Sequence, residues 1–350
     1  MTGSIHCAAE EELAMDDTTY GTHNKRGDFT PNEPLTPAPI WAFPPRPLAV
    51  LKWLPGYFLP WNLLWAASAV AWWVWVVPEK AVMQNLAWGW VLWLFAVNAI
   101  AVLAFYGALE LRLYIRRAQG IRFKYNAKWP SEHKSTAFLF QSQTIDSIIR
   151  TFGSGVPIWT AWEVVVLWAW ANDIGPWIGL MDNPWYLFAI WLVMPILHET
   201  HFFLIHRLIH TPFLYKWVHS VHHNSVNPSP WSSLSMHPVE HLLYFATAAY
   251  HLILPSHPLL AICQLNFAGF GAVVGHIGFD KIEVTDDRGV SSHAFAHYLH
   301  HKYFEVNYGD GTVPLDKLFG TWHDGSSAGE ARMNERYQRR KAKANAKAAP

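Results

Sequence analysis

Three short stretches of this chain set imidazoles at spacings that suit metal ligation. Residues 206–210 read HRLIH, residues 219–223 read HSVHH, and residues 297–301 read HYLHH. On a helix, residues three or four apart return to the same face. His206 and His210 therefore make one facing pair, and a single helical turn can present His219, His222 and His223 together. His297, His300 and His301 repeat that arrangement. His276, in GHIGFD, and His237, in MHPVEH, are further candidates.

Eight or nine neutral imidazoles exceed what one ion takes, since a zinc site uses about four ligands. Two metal ions are implied. Imidazole suits zinc, copper, iron and nickel alike, so spacing leaves the element open. Glu199 lies seven residues before His206, two turns away on the same helix. It is a candidate to accept a ligand's second N–H and so fix its tautomer; the plainer reading is an interfacial carboxylate paired with an arginine. His198, His201 and His241 lie near the boxes and either join the site or hydrogen-bond within the bundle. His6, His23, His133, His251, His257 and His323 read as ordinary polar residues.

The elements that must position these histidines are apolar. The chain is 51% hydrophobic, carries 21 Trp and is only 15% charged. Low charge with abundant Trp suggests a membrane protein with aromatic residues at its interfaces. The near-zero net charge gives nothing for a nucleic acid to bind. There are two cysteines, Cys7 in a polar segment and Cys263 in an apolar run, which excludes a cysteine metal site and argues against a disulfide. The acidic EEELAMDD near the start is neither a signal peptide nor a transit peptide.

The expected architecture is an all-α integral membrane protein. About four transmembrane helices and a re-entrant or short spanning hairpin would carry a helical cap, on the cytoplasmic face, that holds the boxes. Residues 1–45 read as a disordered polar and Pro-rich tail. Residues 46–155 would hold a transmembrane hairpin, 61–77 and 83–109, and a basic segment. Residues 156–325 form the histidine-box region, with apolar runs at 157–180 and 185–197 and the hairpin at 241–276. Residues 326–350 form a basic tail. Arg112, Arg116, Arg117, Arg122, Lys124 and Lys128 put the basic segment in the cytoplasm, and two further crossings return the chain to that side at the boxes.

With its flanks included, the pattern resembles the fatty acid hydroxylase / sterol desaturase superfamily of membrane non-haem di-iron enzymes. The resemblance runs from about residue 185 to 325 and rests on LYKWVHSVHHNSVNPSPWSSLSMHPVEHLL, GHIGFD and HAFAHYLHHKYFEVNYGDGTVPLDKLFGTWHD. It implies that His206, His210, His219, His222, His223, His297, His300 and His301 are iron ligands. His276 stands at the position of a further histidine, His237 belongs to the recurring HPVE, and Glu199 stands where many members have an acidic residue.

The implied cofactors are two iron ions, with O2 as co-substrate and electrons from outside. The implied reaction is hydroxylation or desaturation of an unactivated C–H bond in a sterol or other lipid. The HPVE, GHIGF and NYG set looks closer to the sterol-desaturase and lipid-monooxygenase branch. A carotenoid hydroxylase or a fatty-aldehyde lyase of the same superfamily is an alternative. No H-P-G-G haem module is present, so the donor would be a separate cytochrome b5 or ferredoxin with its reductase, which the basic face could steer. A histidine-rich metal transporter is the reading from another class. Transport sites lie near the bilayer midplane between broken helices, whereas these histidines cluster at helix ends. The final AKAAP lacks a lysine-type retrieval signal, which points towards a bacterial inner membrane, with the endoplasmic reticulum as the alternative.

Overall fold

The structure is a computed structural model that describes residues 20–130, 134–285 and 288–348, with side chains to residue 342. Helices dominate. They are α1 (Pro47–Phe58), α2 (Trp61–Trp75), α3 (Trp88–Ile115), α4 (Gln143–Arg150), α5 (Val156–Ala171), α6 (Pro184–Ile209), α7 (residues 212–223), α8 (Pro238–Phe245), α9 (Pro258–Gly275), α10 (Phe295–Tyr303) and α11 (Ser327–Ala348). Two antiparallel hairpins depart from the all-α expectation: β1 (Gly21–His23) with β2 (Phe29–Pro31), and β3 (Lys281–Thr285) with β4 (Arg288–Ser291).

Among the described residues, α3, α6 and α9 are long and apolar enough to cross a membrane, and the chain is an integral membrane protein. α2 and α5 are shorter, at 15 and 16 residues. The apolar run that begins at residue 185 does not stop at Leu197: α6 continues without a break through His206. The 241–276 stretch resolves into α8, a 3₁₀ turn (Ala246–Ala249) and the single long helix α9.

The three long helices differ in environment. α3 and α6 each bury only 22% of their most apolar window inside the protein, whereas α9 buries 78%. α9 is therefore the central helix, and α3 and α6 turn Leu92, Ile100, Leu103, Phe188 and Leu204 outward. The centre is aromatic. Trp159 of α5 stacks on Phe245 and meets Phe270 edge-on, and Trp65 of α2 stacks on Phe270. Gly269 makes this possible, because a Cβ there would lie 2.1 Å from the Trp159 ring. Asn98 of α3 is a paired polar group inside the bundle. The Asn98 amide donates to Glu163 Oε2 at 2.7 Å and Thr160 Oγ1 at 3.1 Å, and its oxygen accepts from Trp72 Nε1 at 3.0 Å. That network ties α2, α3 and α5 together; such interhelical bonds contribute roughly 0.6 kcal/mol each.

Residues 20–45, read from composition as part of a solvated tail, are ordered and docked. Phe29 is 1% exposed and packs among Phe123, Tyr125 and Phe295, and Asp28 bridges to Asn126. Polar composition misleads here because a few buried aromatics suffice to hold a short hairpin. Residues 1–19 lie outside the described part, and with them Cys7; Cys263 is a buried free thiol.

Candidate metal centre

Each box sits at the end of a helix. α6 is started by Pro184 and capped by Asn183, whose side chain accepts from the Tyr186 amide at 3.2 Å. Its last turn delivers His206, and His210 closes its C-terminus. α7 contains a π turn (Tyr215–His219) followed by one α turn (Ser220–His223), a local rewinding that often accompanies function. α10 carries the third box and ends at Phe304, which is left-handed at φ 66°. His276 follows the last turn of α9.

The nine histidines 206, 210, 219, 222, 223, 276, 297, 300 and 301 converge, but not as three boxes. They divide into two groups, His206, His210, His219, His223 and His300 in one and His222, His276, His297 and His301 in the other. Within each group the nearest ring nitrogens all lie within 4.8 Å of one another. The division follows helical geometry. In HSVHH the i, i+4 pair His219/His223 serves one group and the i+3 residue His222 serves the other. In HYLHH the i, i+4 pair is His297/His301, and His300 crosses over. At about 100° per residue, offsets of three and four lie on either side of a full turn, so they diverge by about 100°. The doubled histidine is what lets one helical turn serve two centres.

The donor chemistry fits cations. His206 Nδ1 donates to the Tyr308 carbonyl (2.8 Å), His300 Nδ1 to the Val306 carbonyl (2.7 Å) and His276 Nδ1 to the Ala272 carbonyl (2.9 Å). A carbonyl only accepts, so in each ring the proton is on Nδ1 and Nε2 is a bare lone pair. The Nε2 of His300 lies 3.1 Å from that of His210 and 3.1 Å from that of His223, which are themselves 3.2 Å apart. The Nε2 of His276 has those of His297 (2.9 Å), His222 (3.0 Å) and His301 (3.3 Å) around it. Single lone pairs cannot satisfy so many neighbours, whereas a cation can. Separations near 3 Å also match adjacent ligands on an ion with metal–nitrogen bonds of about 2.1 Å, whose right-angled edge is about 3.0 Å.

Burial keeps the rings neutral. It lowers His210 to about 2, with His206 adding to the effect, and His276 to about 4, against the opposing Ala272 carbonyl. His219, His222, His223, His297, His300 and His301 are held well below the ordinary range, first by burial and then by one another. Neutral imidazoles offer their lone pairs to a metal with no proton to displace.

Two sequence expectations are corrected. His237 joins neither group. It is the N-cap of α8, its Nδ1 accepting from the Val239 amide at 3.2 Å, and Pro238 at the first helical position is the signal for that role. Glu199 contacts no ligand histidine among the described residues. Its carboxylate accepts from the Gly311 amide (2.7 Å) and the Val313 amide (3.1 Å) and pins the 309–313 loop. Seven residues of helix rise about 10 Å, which leaves it too far from His206. The carboxylate beside a ligand is Glu240, missed in the sequence although it stands in HPVE. It is 3% exposed, and its Oε1 lies 2.8 Å from His219 Nδ1. His201 bonds to the Leu243 carbonyl and Tyr250, and His241 to the Leu234 carbonyl and Ser154, so both brace the bundle. His198 packs against Tyr244 and Phe267.

Two openings meet the groups. A cavity of about 530 Å³ runs beneath them, walled by Trp53, Trp61, Trp65, Phe202, Tyr244 and Phe267, and it reaches His206 and His219 of one group and His222, His276 and His297 of the other. A second cavity, about 600 Å³, reaches half-buried His210 and is bordered by Arg336 and Arg340 of α11. Both arginines are held by Glu305.

Residues 191–321 match the family model described as fatty acid hydroxylase. The Delta(7)-sterol 5(6)-desaturase of Saccharomyces cerevisiae is 30% identical over 173 residues, which cover 42% of this chain and 46% of that protein. The desaturase of the same description from Gibberella zeae is 29% identical, covering 40% of each chain. One from Aspergillus fumigatus is 27% identical, covering 42% of this chain and 58% of its own. The chain thus spans less than two thirds of the length of these relatives. No solved structure matches it.

Proposed function

We propose that the chain is a member of the fatty acid hydroxylase / sterol desaturase superfamily and a membrane-bound oxidoreductase that hydroxylates or desaturates a lipid at a pair of non-haem irons, using O2 and two external electrons. The observation that carries this reading is the shared cavity: one chamber with an aromatic wall is lined by histidines of both groups. A transporter needs a path past its ligands, whereas an oxidase needs a chamber that holds a C–H bond beside them.

His206, His210, His219, His223 and His300 would hold one ion, and His222, His276, His297 and His301 the other. The metals supply the redox chemistry with O2; the protein supplies position and surroundings. The Tyr308, Val306 and Ala272 carbonyls and Glu240 aim four of the rings. The aromatic wall of Phe202, Tyr244 and Phe267 excludes water and packs an apolar substrate against the ligands. The named activity of the relatives makes a sterol the first substrate to test. Electrons would come from a separate cytochrome b5 or ferredoxin. The second cavity at His210, rimmed by Arg336 and Arg340, suits an acidic donor. In this reading the boxes and the basic segments share the cytoplasmic face, with four crossings and the 241–276 hairpin between them.

The test is comparative lipidomics of cells with and without the gene, grown with and without air. A lipid that gains a hydroxyl or a double bond only with both gene and air supports the proposal. An unchanged lipid profile in cells that express the metal-loaded protein sinks it.

A further inference from the structure

Besides Glu240, the cavity is lined by four acidic residues, Glu33, Glu199, Asp280 and Asp310. Asp310 lines it, between Gly309 and Gly311, in the loop that follows the third box. Its side chain is exposed. It has no hydrogen-bond or ion-pair partner among the described residues. Its charged neighbours, Glu199 and Asp316, are themselves acidic. Burial raises the Asp310 carboxyl, with Asp316 the next cause. Carboxyls held above their ordinary range concentrate at functional sites.

The loop is built to hold Asp310 still. Glu199 accepts from the Gly311 and Val313 amides on one side. Asp316 accepts from the Tyr308 amide (3.0 Å) and the Gly309 amide (2.8 Å) on the other. Asn307, left-handed at φ 50°, ties the start of the loop to the Ala296 and His323 carbonyls. The same loop gives the Tyr308 carbonyl that orients His206. Asp310 is thus fixed relative to a metal ligand, in a cavity whose wall also includes the aromatic residues Tyr244, Phe202 and Phe267. Tyr244 cannot answer it, since its hydroxyl donates to the Ala268 carbonyl at 2.8 Å.

We infer that Asp310 is the substrate-positioning residue of this cavity: it accepts a hydrogen bond from a hydroxyl on an otherwise apolar lipid. A carboxyl accepts from an alcohol in either protonation state. Anchoring the hydroxyl there sets which carbon of the lipid lies beside the histidines, so Asp310 governs both the choice of substrate and the position oxidised. The inference rests on the proposed function for its use of the cavity, yet binding alone tests it.

The experiment measures binding to the purified, metal-loaded protein by quenching of its tryptophan fluorescence. The probes are a Δ7-sterol and its 3-O-methyl ether, and a long-chain 1-alkanol with its methyl ether and its amine. With wild-type protein, at least one free alcohol binds roughly 10-fold or more tighter than its ether, the usual value of a hydrogen bond to a charged group. Asp310→Ala removes that preference and Asp310→Asn retains part of it. The inference is overturned if the wild type does not separate alcohol from ether, if it binds neither, if it prefers the amine, or if Asp310→Ala keeps the preference. Should the variants fail to fold, the wild-type comparison still decides. Iron content, measured on the wild-type samples, reports separately on the di-iron reading: wild-type protein without iron that still prefers the alcohol would count against the metal assignment and leave Asp310 standing.

Discussion

Replacing Glu240 probes the support of the ligands without touching a ligand. Its Oε1 is 2.8 Å from His219 Nδ1 and both groups are buried, at 3% and 1% exposure. Glu240→Gln keeps an acceptor oxygen but replaces the carboxyl group with an amide. Glu240→Ala removes the acceptor and leaves the Nδ1–H buried and unpaired. Losing a partner of this kind typically costs about 10 to 100-fold in metal affinity, or about 1.4 to 2.7 kcal/mol. The glutamine variant is expected near the lower figure and the alanine variant at or beyond the upper one. The assay is iron retention against a graded chelator on anaerobically purified protein, with thermal melting to confirm folding. Glu199→Gln is the comparison: it loosens the 309–313 loop and lowers the melting temperature, with a smaller effect on iron than Glu240→Ala. If both Glu240 variants hold iron as the wild type does, the 2.8 Å contact does not support the site. If Glu199→Gln loses more iron than Glu240→Ala at an unchanged melting temperature, the earlier sequence reading of Glu199 was the better one.

His237→Ala should cost about 1 kcal/mol of stability through loss of the α8 cap and keep its iron, with His237→Asn restoring the melting temperature; loss of iron in either variant would make it a ligand. Gly269→Ala should prevent folding or lower the melting temperature sharply, because its Cβ would meet the Trp159 ring at 2.1 Å; an unaffected variant would show that α9 and α5 do not pack this closely. Metal-free protein should lose stability in acid. His276 falls from an ordinary value of 6.5 to about 4 in the fold, so between those values the unfolded chain binds the extra proton. Its contribution is whole above pH 6.5 and is lost as pH falls towards 4, at about 1.4 kcal/mol per unit. Melting curves from pH 7.5 to 5 that stay level would contradict this.

The boxes were legible because metal ligation needs fixed residue types at helical spacing, and HRLIH, HSVHH and HYLHH state both. Their division into two groups was implicit in the same spacing, since i+3 and i+4 neighbours diverge, but a reading that treats one helical turn as one face hides it. Glu199 stands out in the sequence because it shares a helix with His206, whereas nothing there singles out Glu240. Position along the axis matters as much as face, and Glu240 reaches His219 only through the chain reversal between α7 and α8, which periodicity does not encode. His237 was mistaken for a possible ligand, although the following proline marks it as a cap. The 20–45 hairpin was hidden by its polar composition, since its order depends on Phe29 finding Phe123 and Phe295, far away in the sequence. The apolar runs announced a membrane bundle, yet composition alone could not distinguish α9, enclosed by protein, from α3 and α6, which face outward.

The central claim is that nine histidines form two metal centres rather than one. Metal analysis of anaerobically purified protein, wild type and His276→Ala, tests it most directly. About two irons per chain are expected in the wild type, and about one in the variant, which removes a ligand from the His222 group alone. A wild-type protein that turns over substrate with a single metal or none would contradict the account, as would a His276→Ala variant that retains two.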